Sequence, residues 1–221
     1  MRLTTTGTAR NFDGSILGIL TTEDMPPEER GTRIRFVPAN AAAFDATRAD
    51  LAGYRALLAH EALDGALAVP SVHTLRESDH LQHGDIVVLE GTSGLVRSLY
   101  RPYEEHHHLF VTERCNSNCL MCSQPPKDRD DTDALMTRNL DLIELIEAPP
   151  SYLTITGGEP TLLGDRLLTI IARLKERMPD RWGLDASLHG CTARSGLSRV
   201  ARSGPYRSRE VHGWRDRRIQ T

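Results

Sequence analysis

The sequence predicts an α/β protein in two parts. A small N-terminal α+β domain with a β-hairpin is predicted over residues 1–103, followed by βα units over residues 104–179. Apolar residues other than glycine make up 39% of the 221-residue chain, and with the 17 glycines counted the apolar fraction is ordinary for a globular protein. Alternation of polar and apolar residues predicts the hairpin. Beyond residue 108, segments with strand periodicity alternate with segments with helix periodicity, as in proteins with a parallel sheet.

Composition argues against several classes of protein. There is no run of ~18 apolar residues, so no membrane-spanning helix is predicted. The N-terminus is threonine-rich and lacks the apolar core of a secretory signal. Four cysteines without such a signal indicate metal or redox chemistry in a reducing compartment, and we therefore expect a cytoplasmic protein. The net charge of −3 gives no indication of a nucleic-acid partner.

The first 79 residues have weak periodicity and no catalytic grouping. Alternation over residues 32–37 predicts a half-buried strand. Alanine and leucine over residues 41–60 favour a helix. Residues 67–72 are interrupted by Pro70, which is typical of a short edge strand.

The hairpin is predicted over residues 81–101. Residues 86–89 are apolar, residues 90–94 (EGTSG) carry turn chemistry, and alternation returns over residues 95–100. This pattern predicts two antiparallel strands joined by a short loop.

Residues 109–178 predict strand, helix, strand and helix in that order. Asp131, Thr132 or Asp133 can cap the first helix, and a proline follows each helix. This order implies a parallel sheet with right-handed crossovers. The four elements are predicted over residues 109–112, 131–147, 152–156 and 165–178.

A cysteine motif follows the first of these strands. Cys115, Cys119 and Cys122 form C-x3-C-x2-C. Thiolates suit iron–sulfur clusters and zinc, and three of them would leave one iron of a 4Fe–4S cluster open. The alternatives are a zinc site completed by one of the histidines at 106–108, and three unconnected buried cysteines.

A second motif, Gly157-Gly158-Glu159-Pro160, follows the next strand. The two glycines permit close approach of the backbone to a ligand. The glutamate can accept hydrogen bonds from an ammonium group or order the loop. Because adjacent parallel strands end at the same edge of a sheet, the two motifs are expected to lie close together.

This pair of motifs resembles the radical S-adenosylmethionine (SAM) enzymes. Residues 109–126 (LFVTERCNSNCLMCSQPP) and 153–163 (LTITGGEPTLL) are similar to the radical SAM maturase of the His-Xaa-Ser peptide system. The resemblance covers residues 80–179. It implies the start of a radical SAM partial (βα) barrel, preceded by a small β-containing domain, in an enzyme that acts on a ribosomally made peptide.

The resemblance also implies roles for individual residues. A 4Fe–4S cluster would be ligated by Cys115, Cys119 and Cys122. SAM would bind the open iron and contact Met121, Gly157, Gly158 and Glu159. One electron from the cluster would cleave SAM to a 5′-deoxyadenosyl radical that abstracts a substrate hydrogen. The expected partners are the peptide, an electron donor and a partner maturase subunit, with neither nucleic acid nor a membrane.

The periodicity stops after residue 179. Residues 180–221 hold nine arginines, four acidic residues and no lysine, and the whole chain has 25 arginines and two lysines. We interpret this tail as out-of-frame translation of a GC-rich gene, or a similar truncation; a native disordered tail and a basic nucleic-acid arm are the alternatives. The later family strands would then be missing, so we expect little 5′-deoxyadenosine from this chain.

Overall fold

A computed structural model describes residues 3–39, 50–63, 69–116, 122 and 127–179. All of these lie in one compact unit, Met1–Leu188. Several predictions fall outside the described residues: the first part of the helix at 41–60, the roles of Cys119 and Met121, and the interpretation of residues 180–221.

The described residues form ten strands and two α-helices, with 3-10 helices at Pro27–Thr32 and Pro160–Leu163. The helices are α1 (Thr132–Leu145) and α2 (Asp165–Arg177). The strands are β1 (Thr4–Thr6), β2 (Thr8–Arg10), β3 (Ser15–Thr21), β4 (Arg33–Val37), β5 (Ala56–Ala59), β6 (Ser71–His73), β7 (Ile86–Glu90), β8 (Leu95–Tyr100), β9 (His106–Phe110) and β10 (Tyr152–Thr156).

Strands β1 to β8 form one mixed sheet in the order β1-β8-β7-β3-β4-β5-β6-β2. The two end strands, β1 and β2, are separated in the chain only by Gly7, so the sheet closes on itself through one continuous segment. The Gly7 amide donates to the Gly94 carbonyl at 2.9 Å. A Cβ at position 7 would lie 2.5 Å from the His73 carbonyl oxygen, so glycine permits this closure.

The inside of the closed sheet is filled by alternate residues of its strands, as the two-residue period of a strand requires. Each of the strands from β3 to β8 contributes at least one buried apolar side chain to a single cluster. These residues are Leu20, Ile34, Phe36, Ala56, Leu58, Val72, Val87, Leu89 and Val96.

Strands β9 and β10 form a separate parallel sheet, in which Tyr152 pairs with His106 and Thr156 with Phe110. Buried residues of α1 and α2 pack in the same cluster as Leu109 and Ile155. That cluster also contains Ile19 and Ile86 of the closed sheet, so the two sheets share apolar packing.

The predicted fold class is wrong. The dominant element is an eight-stranded mixed sheet accompanied by a two-stranded sheet, and not a radical SAM partial barrel. The strand–helix–strand–helix order is present as β9, α1, β10 and α2. Six of the eight strands of the largest sheet, however, come from the first 79 residues, where periodicity is weakest. Its short strands are stabilised by pairing with segments that are distant in the sequence.

The helix predicted over residues 41–60 is also wrong where the structure describes it. Residues 56–59 form β5, which lies between β4 and β6 and is buried throughout. Burial inside the sheet outweighs the helix propensity of alanine and leucine. The predicted edge strand at 67–72 is corrected too, since β6 begins at Ser71 and pairs on both sides, with β5 and β2.

The hairpin is confirmed: β7 and β8 pair antiparallel. The strand predicted at 152–156 and the two helices are confirmed to within two residues at each end. Of the α-helices in the described ranges, none has both the length and the apolar character needed to span a membrane.

Candidate functional site

The two motifs are brought together by backbone pairing that continues beyond β9 and β10. The Val111 amide donates to the Thr156 carbonyl at 2.9 Å, and the Gly158 amide donates to the Thr112 carbonyl at 2.8 Å. The Glu159 amide then donates to the Arg114 carbonyl at 2.8 Å. The Gly-Gly-Glu segment therefore lies directly against the residues that lead into Cys115.

Both glycines of this segment are required by the closeness of the two backbones. A Cβ at Gly157 would lie 2.4 Å from the Thr112 carbonyl oxygen, and one at Gly158 would lie 2.1 Å from that of Arg114. Gly157 also has a φ of 147°, which L-residues rarely adopt. The close approach predicted from the sequence is thus made to the neighbouring backbone.

The Glu159 side chain is buried and orders its own loop. Its Oε1 atom accepts hydrogen bonds from the Thr161 amide at 3.1 Å and from the Thr161 hydroxyl at 2.6 Å. The carboxylate thereby caps the 3-10 helix Pro160–Leu163. These contacts fix the turn that follows β10.

Two polar side chains, one at the N-cap of α1 and one within α1, bind the end of β9 and the residues that follow it. Asp131 accepts hydrogen bonds from the Thr112 hydroxyl at 2.9 Å and the Glu113 amide at 2.7 Å. The Asn139 side chain donates to the Phe110 carbonyl at 2.9 Å. Asp131, one of three residues expected to cap α1, occupies the N-cap position, but its side chain makes no capping hydrogen bond and anchors the neighbouring segment.

The two ends of the cysteine loop lie side by side. Arg114 forms an isolated parallel bridge with Lys127, and the Lys127 ammonium donates to Glu113 at 3.1 Å. Cys115 and Cys122 lie in the loop between them; Cys115 is half-buried and Cys122 is exposed. Cys119 and Met121 are outside the described residues.

The thiolate donors of this motif suit a soft metal or an iron–sulfur cluster. Within the described ranges, no three His, Cys, Asp or Glu side chains converge as a metal site. Cys119, the third cysteine of the motif, lies outside the described residues.

The three histidines before the loop differ in accessibility. His107 is buried, stacks on Tyr100 and lies 3.1 Å from the Glu104 carbonyl oxygen, and burial lowers its pKa. His106 stacks on Tyr152 and is exposed, as is His108. Of these three histidines, only His106 and His108 are accessible to a zinc ion.

The supporting role of three polar residues in this site was not predicted, and Asp131 was expected only as a helix cap. Thr112, Asp131 and Asn139 are buried or half-buried polar side chains that hold the strand ends. Their spacing from the cysteines carries no recognisable pattern, because their partners are brought together only by folding.

No family model, curated protein or solved structure matches the chain.

Proposed function

We propose that this chain carries the cluster- and cofactor-binding part of a radical SAM enzyme that modifies a ribosomally made peptide. The observation that supports the proposal is the hydrogen-bonded contact between the Gly-Gly-Glu segment and residues 112–114, which lead into the cysteine loop. Two motifs separated by about one βα unit in the sequence are thereby adjacent in space.

Cys115, Cys119 and Cys122 would hold a 4Fe–4S cluster, and Met121, Gly157, Gly158 and Glu159 would hold SAM. When bound, the cluster supplies the electron that cleaves SAM reductively. The chain's own residues position these groups: Asp131 fixes the segment before Cys115, and Glu159 fixes the turn after β10.

The peptide would be the substrate, and an electron donor and a partner maturase subunit would complete the system. Thiolate ligands require a reducing compartment, so the proposal places the protein in the cytoplasm.

The decisive experiment is anaerobic reconstitution with iron and sulfide. We expect about four irons per chain, with matching acid-labile sulfide. Cys115→Ala, Cys119→Ala and Cys122→Ala should each abolish cluster binding, whereas Cys191→Ala, outside the motif, should not. Stoichiometric zinc without sulfide would contradict the proposal and favour a zinc-binding interaction module.

Addition of SAM to the dithionite-reduced protein tests the cofactor site. We expect the electron paramagnetic resonance spectrum of the cluster to change, because SAM binds the open iron. Repeated formation of 5′-deoxyadenosine would show that this chain is itself catalytic. If the spectrum of the cluster does not change when SAM is added, the result would instead support the alternative of a non-catalytic iron–sulfur fragment.

A further inference from the structure

The two-stranded sheet of β9 and β10 has an open edge at β10, which the proposed cluster function does not use. In the part of the chain that the structure describes, β10 pairs with β9 alone. The Tyr152 amide and the Thr156 carbonyl both bond to the residues that flank β9, at 2.9 Å. Because alternate residues of a parallel strand bond to the same neighbour, the N–H and C=O groups of Leu153 and Ile155 point to the open edge.

The outer edge of β9 differs from the edge of β10. The same alternation directs the backbone groups of His106, His108 and Phe110 away from β10. The Phe110 carbonyl accepts a hydrogen bond from the Asn139 side chain of α1 at 2.9 Å, and both histidines are exposed and ionisable. Polar cover and ionisable side chains are features that protect an edge strand from pairing with another chain.

The strand β10 has neither kind of protection. Its five residues, YLTIT, include no charge and no proline, and four of them are β-branched or aromatic. Such residues are favoured in strands. An unprotected edge of this composition is a template for a further strand.

The helix that follows β10 also exposes apolar surface. Arg166, Arg173 and Arg177 form salt bridges with α1, so they lie on the side of α2 that faces α1. At about 100° per residue, Leu168 and Ile171 lie roughly 120–180° away from those arginines, on the opposite side of α2. Leu168 is 41% exposed. Since α1 bonds to β9, this apolar side of α2 lies away from β9, on the side of the open edge.

We propose that the β10 edge pairs with the same edge of a second copy of this chain, antiparallel, about a two-fold axis at Thr154. In an antiparallel pair, residues whose backbone groups point across bond to each other in both directions. Leu153 then exchanges two hydrogen bonds with the partner's Ile155, and Ile155 does the same with the partner's Leu153. Thr154 lies on the axis and faces the partner's Thr154.

A second copy fits this edge because the strand is complementary to itself. The axis brings only uncharged side chains together, with Tyr152 opposite the partner's Thr156, so no like charges oppose pairing. The α2 helices of the two copies lie on the same face of the joined sheet, where Leu168 and Ile171 can be covered. Both copies use the same edge, so the assembly closes at the dimer.

Charges introduced at the axis test this register. Thr154→Lys and Thr154→Glu each place like charges directly opposite one another, and the half-buried position can accommodate them in a single chain. By light scattering, we expect the wild type at twice the 24.6 kDa of the chain and each variant alone at the monomer mass. An equal mixture of the two variants should return to the dimer mass. His108→Lys adds a charge on the same face of β9, away from the axis, and should remain dimeric.

Amide hydrogen exchange distinguishes the other occupants of the edge. The amides of Leu153 and Ile155 should be protected in the wild-type dimer and exchange freely in the Thr154→Lys monomer. If protection persists in the monomer, another segment of the same chain covers the edge and the proposal is overturned. A wild type that stays monomeric at millimolar concentration, an assembly larger than a dimer, or a mixture of the two charged variants that stays monomeric would overturn it as well.

If neither charged variant folds, the wild type decides by itself. On dilution, the protection of the Leu153 and Ile155 amides should fall together with the fraction of dimer. Protection that stays constant while the dimer dissociates would show that β10 is not the interface.

Discussion

Gly158 lies where the two segments of the candidate site come closest. Gly158→Ala would place a methyl group 2.1 Å from the Arg114 carbonyl oxygen, so one backbone must move. We expect a loss of about 1–3 kcal/mol in the free energy of unfolding, as for other overpacked positions, and reduced cluster content. Urea denaturation measures the free energy of unfolding, and iron analysis measures the cluster content. Gly14→Ala, where a Cβ meets nothing within 4 Å, is the control, and an equal loss there would contradict this account.

Asp85 gives the protein a pH dependence that can be assigned to one residue. Burial raises the pKa of its carboxyl from 3.8 to about 6, against the opposing effects of the Gln82 amide and Arg101. The folded state therefore holds a proton that the unfolded state has already released between those pH values. The contribution of Asp85 to stability should therefore fall as pH rises from about 4 to about 6, by up to about 3 kcal/mol at 1.4 kcal/mol per pKa unit. The lowered pKa values of the buried His73 and His107 act in the opposite direction, so the effect of Asp85 has to be isolated by substitution.

Asp85→Asn isolates this effect because an amide does not titrate. Its oxygen can still accept the Gln82 amide hydrogen bond, which Asp85 accepts at 3.1 Å. Relative to the wild type, the variant should gain up to about 3 kcal/mol of stability as pH rises over this range, whereas Asp79→Asn, at an exposed position, should follow the wild type. Matching pH profiles for wild type and Asp85→Asn would show that another group is responsible.

At the scale of elements, α1 positions the cysteine loop through Asp131. Asp131→Ala leaves the Glu113 amide and the Thr112 hydroxyl without their acceptor, which we expect to cost about 1–3 kcal/mol of stability. Cluster content should fall as well, because the segment before Cys115 loses its anchor. Asp130→Ala removes an exposed neighbouring carboxylate and is the matched control. If the two variants had the same iron content and the same urea midpoint, Asp131 would not be the residue that positions the cysteine loop.

At the scale of the whole molecule, closure of the eight-stranded sheet depends on Gly7. Gly7→Ala would bring a Cβ to 2.5 Å from the His73 carbonyl oxygen, between the pairings with β6 and β8. We expect a loss of about 1–3 kcal/mol, with hydrogen-exchange protection falling together in β6 and β8. Gly31→Ala, with open space around its Cβ position, should leave both strands protected. If hydrogen-exchange protection were lost only in β1 and β2, closure would not stabilise the sheet as a unit.

A closed sheet also explains how short strands can be stable in this chain. β1, β2 and β6 have three residues each, too few to be stable by themselves. Closure removes the unpaired edges at which such strands would otherwise fray or associate with other chains.

Features that depend on local pattern could be predicted from the amino-acid sequence. The hairpin, α1, α2 and β10 follow from periodicity and turn residues within a few positions of each other, and the two motifs can be located by spacing alone. Other features are evident only in the folded chain: residues 4–10 join β6 to β8, residues 56–59 form a strand, and Arg138 and Arg55 line one cleft. The physical reason is that these arrangements depend on hydrogen bonds and burial between segments far apart in the chain, for which local periodicity specifies no partner.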